Sequence, residues 1–117
     1  MNQSFNHQYS SHFKSSETLN IFHRAINFEL LALNQRYNTS LHKHSQDQMY
    51  TYERNAIWYF LHSALKGYST AQYKLGMLYL HGQLGLDSNP NHAKKWLTMA
   101  AMQGHTEAQS QLNKLYQ

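Results

Sequence analysis

A shift of 37 residues, as from Ala56 to Ala93, lays part of this chain on top of itself. Ala56, Ala64, Gly67, Ala71, Gln72 and Leu75 recur as Ala93, Ala101, Gly104, Ala108, Gln109 and Leu112. Tyr59 and Trp96 fall on the same shift as one aromatic position. A fixed period of this size marks stacked helical repeats, in which each unit buries its apolar face only against its neighbours. Such arrays present surfaces for binding and rarely carry chemistry, so the repeat governs every functional expectation below.

The residue types agree with helices. The chain has 117 residues, room for one domain of ordinary size. It contains no Val and three Ile, which leaves little from which to build a sheet. Ala, Leu, five Met and an aromatic fraction of 14% suit helix-on-helix packing. The expected fold is all-α: about five antiparallel helices in a short αα-repeat solenoid. With no cysteine, disulfides, thiolate metal sites and thiol nucleophiles are excluded. The polar stretch from Met1 to Phe13 has no apolar run after it, so no signal peptide is read. No segment approaches the roughly 20 apolar residues of a membrane span. A cytoplasmic location is expected.

Residues 1–16, rich in Asn, Gln, Ser and His, read as a flexible polar arm, leaving 17–117 as one helical-repeat domain. Ser16 offers an N-cap. Leu19, Phe22, Ala25 (or Ile26), Leu30, Leu33 and Tyr37 then follow helical spacing over about 18–38. A polar break follows. A second helix is expected over about 46–66, with Met49, Tyr52, Ala56, Tyr59, Phe60, Ser63 and Ala64 on its apolar face. Gly67 is placed to end it at positive φ. A third helix is expected over about 69–81, ended by Gly82. A loop leads to a fourth helix opened by Pro90, whose missing N–H costs nothing at a first helical position. The fourth helix closes at Gly104, and a fifth covers about 105–116.

The segment Ala71-Gln-Tyr-Lys-Leu75-Gly76-Met-Leu-Tyr79-Leu-His-Gly82, followed by Ala93-Lys-Lys-Trp96-Leu-Thr-Met-Ala100-Ala101-Met-Gln-Gly104 and Ala108, resembles a Sel-one-like repeat. These repeats are relatives of the tetratricopeptide repeat. The family pattern has Ala, Leu-Gly and Tyr on a helix A, a glycine loop, then Ala, Trp and paired Ala on a helix B. One full copy is expected over roughly 68–104, with one and a half to two copies in all. Upstream, placing Leu33 and Tyr37 under Leu75 and Tyr79 needs a shift of 42, and Asn34 stands where the repeat has Gly76. The first helix therefore reads as a degenerate helix A or a cap. The alanines are small enough for helices to approach closely, and Leu75, Tyr79 and Trp96 would fill the space between A and B.

The resemblance implies a protein–protein interaction module: a small adaptor, or a regulatory or inhibitory binder, with no cofactor. It implies that helices A line a concave face. By that register the partner-binding residues are Thr70, Tyr73, Met77 and His81 on the third helix. Phe28, Leu31 and Gln35 are the matching set on the first helix. Glu107, Ser110 and Lys114 follow on the fifth. The expected partner is a peptide or a helix of another protein. Phe28, Leu31 and Met77 read equally well as core. Leu112, Leu115 and Tyr116 on the last helix are candidates for folding back or for self-association as a homodimer.

Other chemistries find less support. The formal charge is +4, but the ten Lys and Arg are scattered and only Lys94 and Lys95 are adjacent. A rival nucleic-acid reading would need Lys66, Lys74, Lys94, Lys95, Lys114 and nearby tyrosines to form a groove. Nine His include His42 and His44 in a His-X-His, with His7, His12 and Asp47 as company for a transition metal. No His pair sits at i, i+4 beside an acid. The six acids are dispersed, and there is no phosphate loop or nucleophile elbow. Glu29, Glu53 and Arg54 read as ordinary helix-surface residues.

Overall fold

In the computed structural model, five α-helices follow one another: α1 (Asn2–Asn38), α2 (Lys43–Leu65), α3 (Ser69–His81), α4 (Pro90–Met102) and α5 (Thr106–Leu115). The structure describes the backbone of residues 2–38 and 43–117, and the side chains of 16–37 and 46–117. No strand occurs among the described residues. The backbone of the polar stretch from Asn2 is helical and continuous with the rest of α1. The apolar periodicity, which starts at Leu19, gives no sign of that extension.

Side-chain pairings fix the directions. Glu17 reaches Lys66 and Arg36 reaches Glu53, so α1 and α2 run antiparallel. Gln72 meets Gln103 and Tyr79 meets His92, so α3 and α4 do the same. Phe22 lies edge-on to Tyr68 and Glu29 pairs with Lys74, which sets α1 and α3 side by side and parallel. This is the A–B–A–B–A order of a helical-repeat solenoid.

Helix ends follow local chemistry. Asn89 caps α4 by accepting from the His92 N–H at 3.1 Å, with Pro90 in the first turn. At α5 the cap is His105, whose Nδ1 accepts from the Ala108 N–H at 3.2 Å. The 37-residue period is visible in the backbone as well. The Tyr68 N–H bonds to the Ser63 carbonyl and the His105 N–H to the Ala100 carbonyl, each at 3.2 Å.

The core is mostly alanine. Ala25, Ala56, Phe60, Ala64, Ala71, Leu75 and Leu78 form one buried cluster, and Leu97, Ala100 and Ala108 a second. Small side chains let helices approach until backbone meets side chain. At Gly76 an added Cβ would stand 2.8 Å from Leu97 Cγ and 3.3 Å from the Ala93 carbonyl oxygen. The glycine inside α3 is therefore kept by the crossing of α4, despite its helix-propensity cost of about 1 kcal/mol.

The C-terminal half of α1 departs from the expected register. Ala25 and Ala32 face inward, whereas Leu30, Leu33 and Tyr37 are exposed. Leu75 is buried while Leu33 is not, so the 42-residue shift does not match their environments. The reason is steric: the α1–α2 contact is built on small residues seven apart, and leucine is displaced to the rim.

Candidate binding surface

On α3 the buried residues Ala71, Gln72, Leu75, Gly76 and Leu78 occupy one side. Thr70, Tyr73 and Met77 are half-buried on another, and His81 is exposed. Tyr73 and Met77 pack against the second cluster, and the Tyr73 ring stacks on His105 at 4.7 Å. They are thus both surface and seat for α5. Lys114 is exposed on α5. Leu112 and Leu115 fold back onto the second cluster. Tyr116 is left exposed, with the Lys94 ammonium 4.8 Å from its ring centroid.

The residues expected on α1 stand elsewhere. Phe28 stacks on Tyr59 at 5.6 Å, with the planes 4° apart. Phe28 and Leu31 line a hollow of about 280 Å³ with Arg24, Asn27 and Tyr59, all from α1 or α2. Gln35 bonds to Gln48, also on α2. The structure therefore brings Thr70, Tyr73 and Met77 together on α3. It sets Phe28, Leu31 and Gln35 on the α1–α2 seam.

Two acids read as surface residues are not. Glu53 is 3% exposed and accepts from Arg36 Nη2 at 2.7 Å. Glu29 is held by Lys74 at 2.8 Å, with its side chain 15% exposed. These four charged side chains line a cleft of about 390 Å³ closed by the loop at Gln83–Gly85. A signal was available: Glu53 lies three and seven residues before Ala56 and Phe60, on their face of the helix. A charge can occupy that face because Arg36 neutralises it.

Among the described residues no three of His, Asp and Glu stand together as a metal site. His42, and the side chains of His7, His12 and His44, lie outside the described residues. No helix among the described residues is long and apolar enough to cross a membrane.

The family model of the Sel1 repeat matches residues 69–105, which span α3, its loop, α4 and the His105 cap. Residues 69–105 form a Sel1 repeat. Chitin synthase regulatory factor 3 of Schizosaccharomyces pombe is 44% identical over 54 residues, which are 46% of this chain and 6% of that protein. No solved structure matches the chain. Sel1 repeats are helical, non-catalytic units that mediate contacts between proteins. The Ala93, Trp96 and Ala100-Ala101 pattern of this Sel1 repeat is what seats α4 on α3 here.

Proposed function

We propose that the chain is a small adaptor or regulatory binder. In this reading it holds a peptide or helix of another protein against the side of α3 bearing Thr70, Tyr73, Met77 and His81. The observation that carries this is the division of α3. Its buried residues lie on one side, leaving a tyrosine, a methionine and two polar groups partly open on the other. Tyr supplies anchoring area with a hydroxyl, and Met adapts to the partner's shape. Lys114 lies on α5, the helix that meets α3 through Tyr73 and His105. Phe28, Leu31 and Gln35 belong to the α1–α2 seam and form no part of this groove. The regulatory sense is supported by the name of the fission-yeast relative, of which this chain covers a small share.

The test uses the two residues that contribute least to packing. Thr70→Arg with His81→Glu alters the face without emptying the core. Affinity capture from native lysate is run with wild type and with this variant, both checked for helix content. A protein enriched by wild type and lost with the variant supports the α3 face. Equal enrichment with both overturns it.

A further inference from the structure

Three contacts seat α4 on α3, and each has a counterpart position on α5. Gln103 Nε2 donates to Gln72 Oε1 and to the Gly67 carbonyl, both at 2.9 Å. Leu97 and the Ala93 carbonyl close over Gly76. The His92 ring lies 4.7 Å from that of Tyr79. The 37-residue shift carries Gln72, Gly76 and Tyr79 onto Gln109, Asn113 and Tyr116, and Gly67 onto Gly104. Leu112, the counterpart of Leu75, lies beside them by helical spacing.

On α5 these positions are open. Gln72 and Gly76 are buried, whereas Gln109, Asn113 and Gly104 are exposed and Tyr116 is 68% exposed. Leu75 is buried and Leu112 only half-buried, although Leu112 packs on the cluster formed with α4. The orientation of α5 is nevertheless that of α3. Ala108 is buried as Ala71 is, and Gln109 donates to the Ala101 carbonyl as Gln72 does to that of Ala64. Both amides are thus held alike by the preceding helix, with Oε1 left to accept. The α3 seat is filled by α4; among the described residues, no helix fills the same seat on α5.

Two features define what fits. Asn113 carries the Cβ that Gly76 lacks, and at Gly76 that atom would stand 2.8 Å from Leu97 Cγ. A helix lying over α5 as α4 lies over α3 therefore needs a residue smaller than leucine at that point. The seat is also uncharged. Glu107 and Lys114 fall on the far side of α5 by helical spacing, and the Lys94 ammonium stands at one end, 4.8 Å from the Tyr116 ring centroid. We propose that this side of α5 docks a helix of another protein that repeats the α4 pattern. It runs antiparallel to α5, with a Gln or Asn near its C-terminal end for Gln109 and the Gly104 carbonyl. It has alanine opposite Asn113 and a ring opposite Tyr116. Hydrogen bonding and size select it, not charge. A second copy is a poorer occupant. A two-fold axis turns its α5 antiparallel, but that helix offers Gln109, Leu112, Asn113 and Tyr116, with no small residue to face Asn113. This surface does not depend on the α3 face.

The probes are two peptides with the sequence of residues 89–104, one unaltered and one with Leu97→Ala. Both are stapled between positions 91 and 95, which are exposed on α4, because a helix this short is marginal alone. Fluorescence anisotropy measures their affinity for the full chain as wild type, Asn113→Gly and Gln109→Ala, each with wild-type helix content. Wild type should prefer the Leu97→Ala peptide. Asn113→Gly should reverse that order, gaining about tenfold or more for the unaltered peptide, because the overpacking at position 113 is removed. Gln109→Ala should weaken both peptides, and Gln103→Ala in the peptide should then cost nothing further. The Gln109 arm stands by itself where Asn113→Gly unfolds the chain. Absence of binding by either peptide overturns the proposal. Affinities indifferent to positions 109 and 113 overturn it too, since the peptide has then displaced α4 from α3. Concentration-dependent dimerisation of the chain that Tyr116→Ala abolishes would assign this side to a second copy, again overturning it.

Discussion

The side-chain amide of Gln72 donates to the carbonyl of Ala64 at 3.1 Å, tying the start of α3 to the end of α2. One period later Gln109 reaches the carbonyl of Ala101 at 3.4 Å, tying α5 to α4 in the same way. Each of these last-turn carbonyls already accepts the N–H of the glycine that ends its helix, Gly67 to Ala64 and Gly104 to Ala101, both at 2.9 Å, and the glutamine of the next helix adds a second bond. The two glutamines differ in burial. Gln72 is 2% exposed and also accepts from Gln103 Nε2 at 2.9 Å, whereas Gln109 is exposed.

That difference gives the first prediction. Gln72→Ala removes a buried donor and acceptor together, and costs about 1–3 kcal/mol of stability. Gln109→Ala costs less than about 1 kcal/mol, because water replaces the lost partner. Urea unfolding of the two variants checks this. Equal losses would mean that the bond at Gln72 contributes nothing beyond its surface copy.

Gly76→Ala is expected to destabilise the chain, although alanine is the better helix former by about 1 kcal/mol. The new methyl would stand 2.8 Å from Cγ of the fully buried Leu97, and overpacking of this kind costs about 1–3 kcal/mol. Leu97→Ala opens a cavity when made alone. Combined with Gly76→Ala it should lose less than the sum of the two. A double-mutant cycle measures the coupling, and strict additivity would show that the two residues do not compete for space.

The repeat itself was legible in the sequence. Its alanines and glycines mark places where geometry admits little else. Gly67 and Gly104 stand at φ 96 and 89, and Ala56, Ala71, Ala93 and Ala108 are wholly buried. Larger residues on α1 were harder to place. Leu33 and Tyr37 satisfy helical spacing as well as Ala32 does, yet only Ala32 fits the contact with α2. Glu53 was misread because charge implies exposure until its partner is known, and Arg36 lies 17 residues away on another helix. Of the residues expected on the binding face, helical spacing correctly grouped Thr70, Tyr73 and Met77 on one side of α3, but not those of α1 with them. The side to which Phe28 and Leu31 turn depends on how α1 crosses α2, which periodicity along one helix does not encode.

The ion pairs should separate by burial. Arg36→Met leaves the Glu53 carboxylate buried without its cation, a costlier change than loss of an exposed pair. Arg36 is itself 54% exposed, so water moderates the effect, and a loss of about 1–2 kcal/mol is expected. Lys66→Met breaks a pair with Glu17, whose side chain is 74% exposed, and should change stability by less than about 0.5 kcal/mol. Thermal unfolding of both variants decides this, and a Lys66 loss matching that of Arg36 would contradict the argument.

His105 joins two jobs in one ring, and substitutions can divide them. Its Nδ1 caps α5 through the Ala108 N–H, and its face stacks on Tyr73. His105→Asn keeps a capping oxygen and loses the ring, whereas His105→Ala loses both. The Asn variant should lose the stacking contribution, about 0.5–1.5 kcal/mol. The Ala variant should lose about 1 kcal/mol more for the cap. Amide hydrogen exchange reads this locally: α5 should open faster in the Ala variant than in the Asn variant, with α1 and α2 unchanged. Since Tyr73 also lies on the proposed binding side of α3, both variants free its ring and should weaken partner capture to a similar degree. Capture that instead tracks the order of α5 stabilities would place the partner on α5.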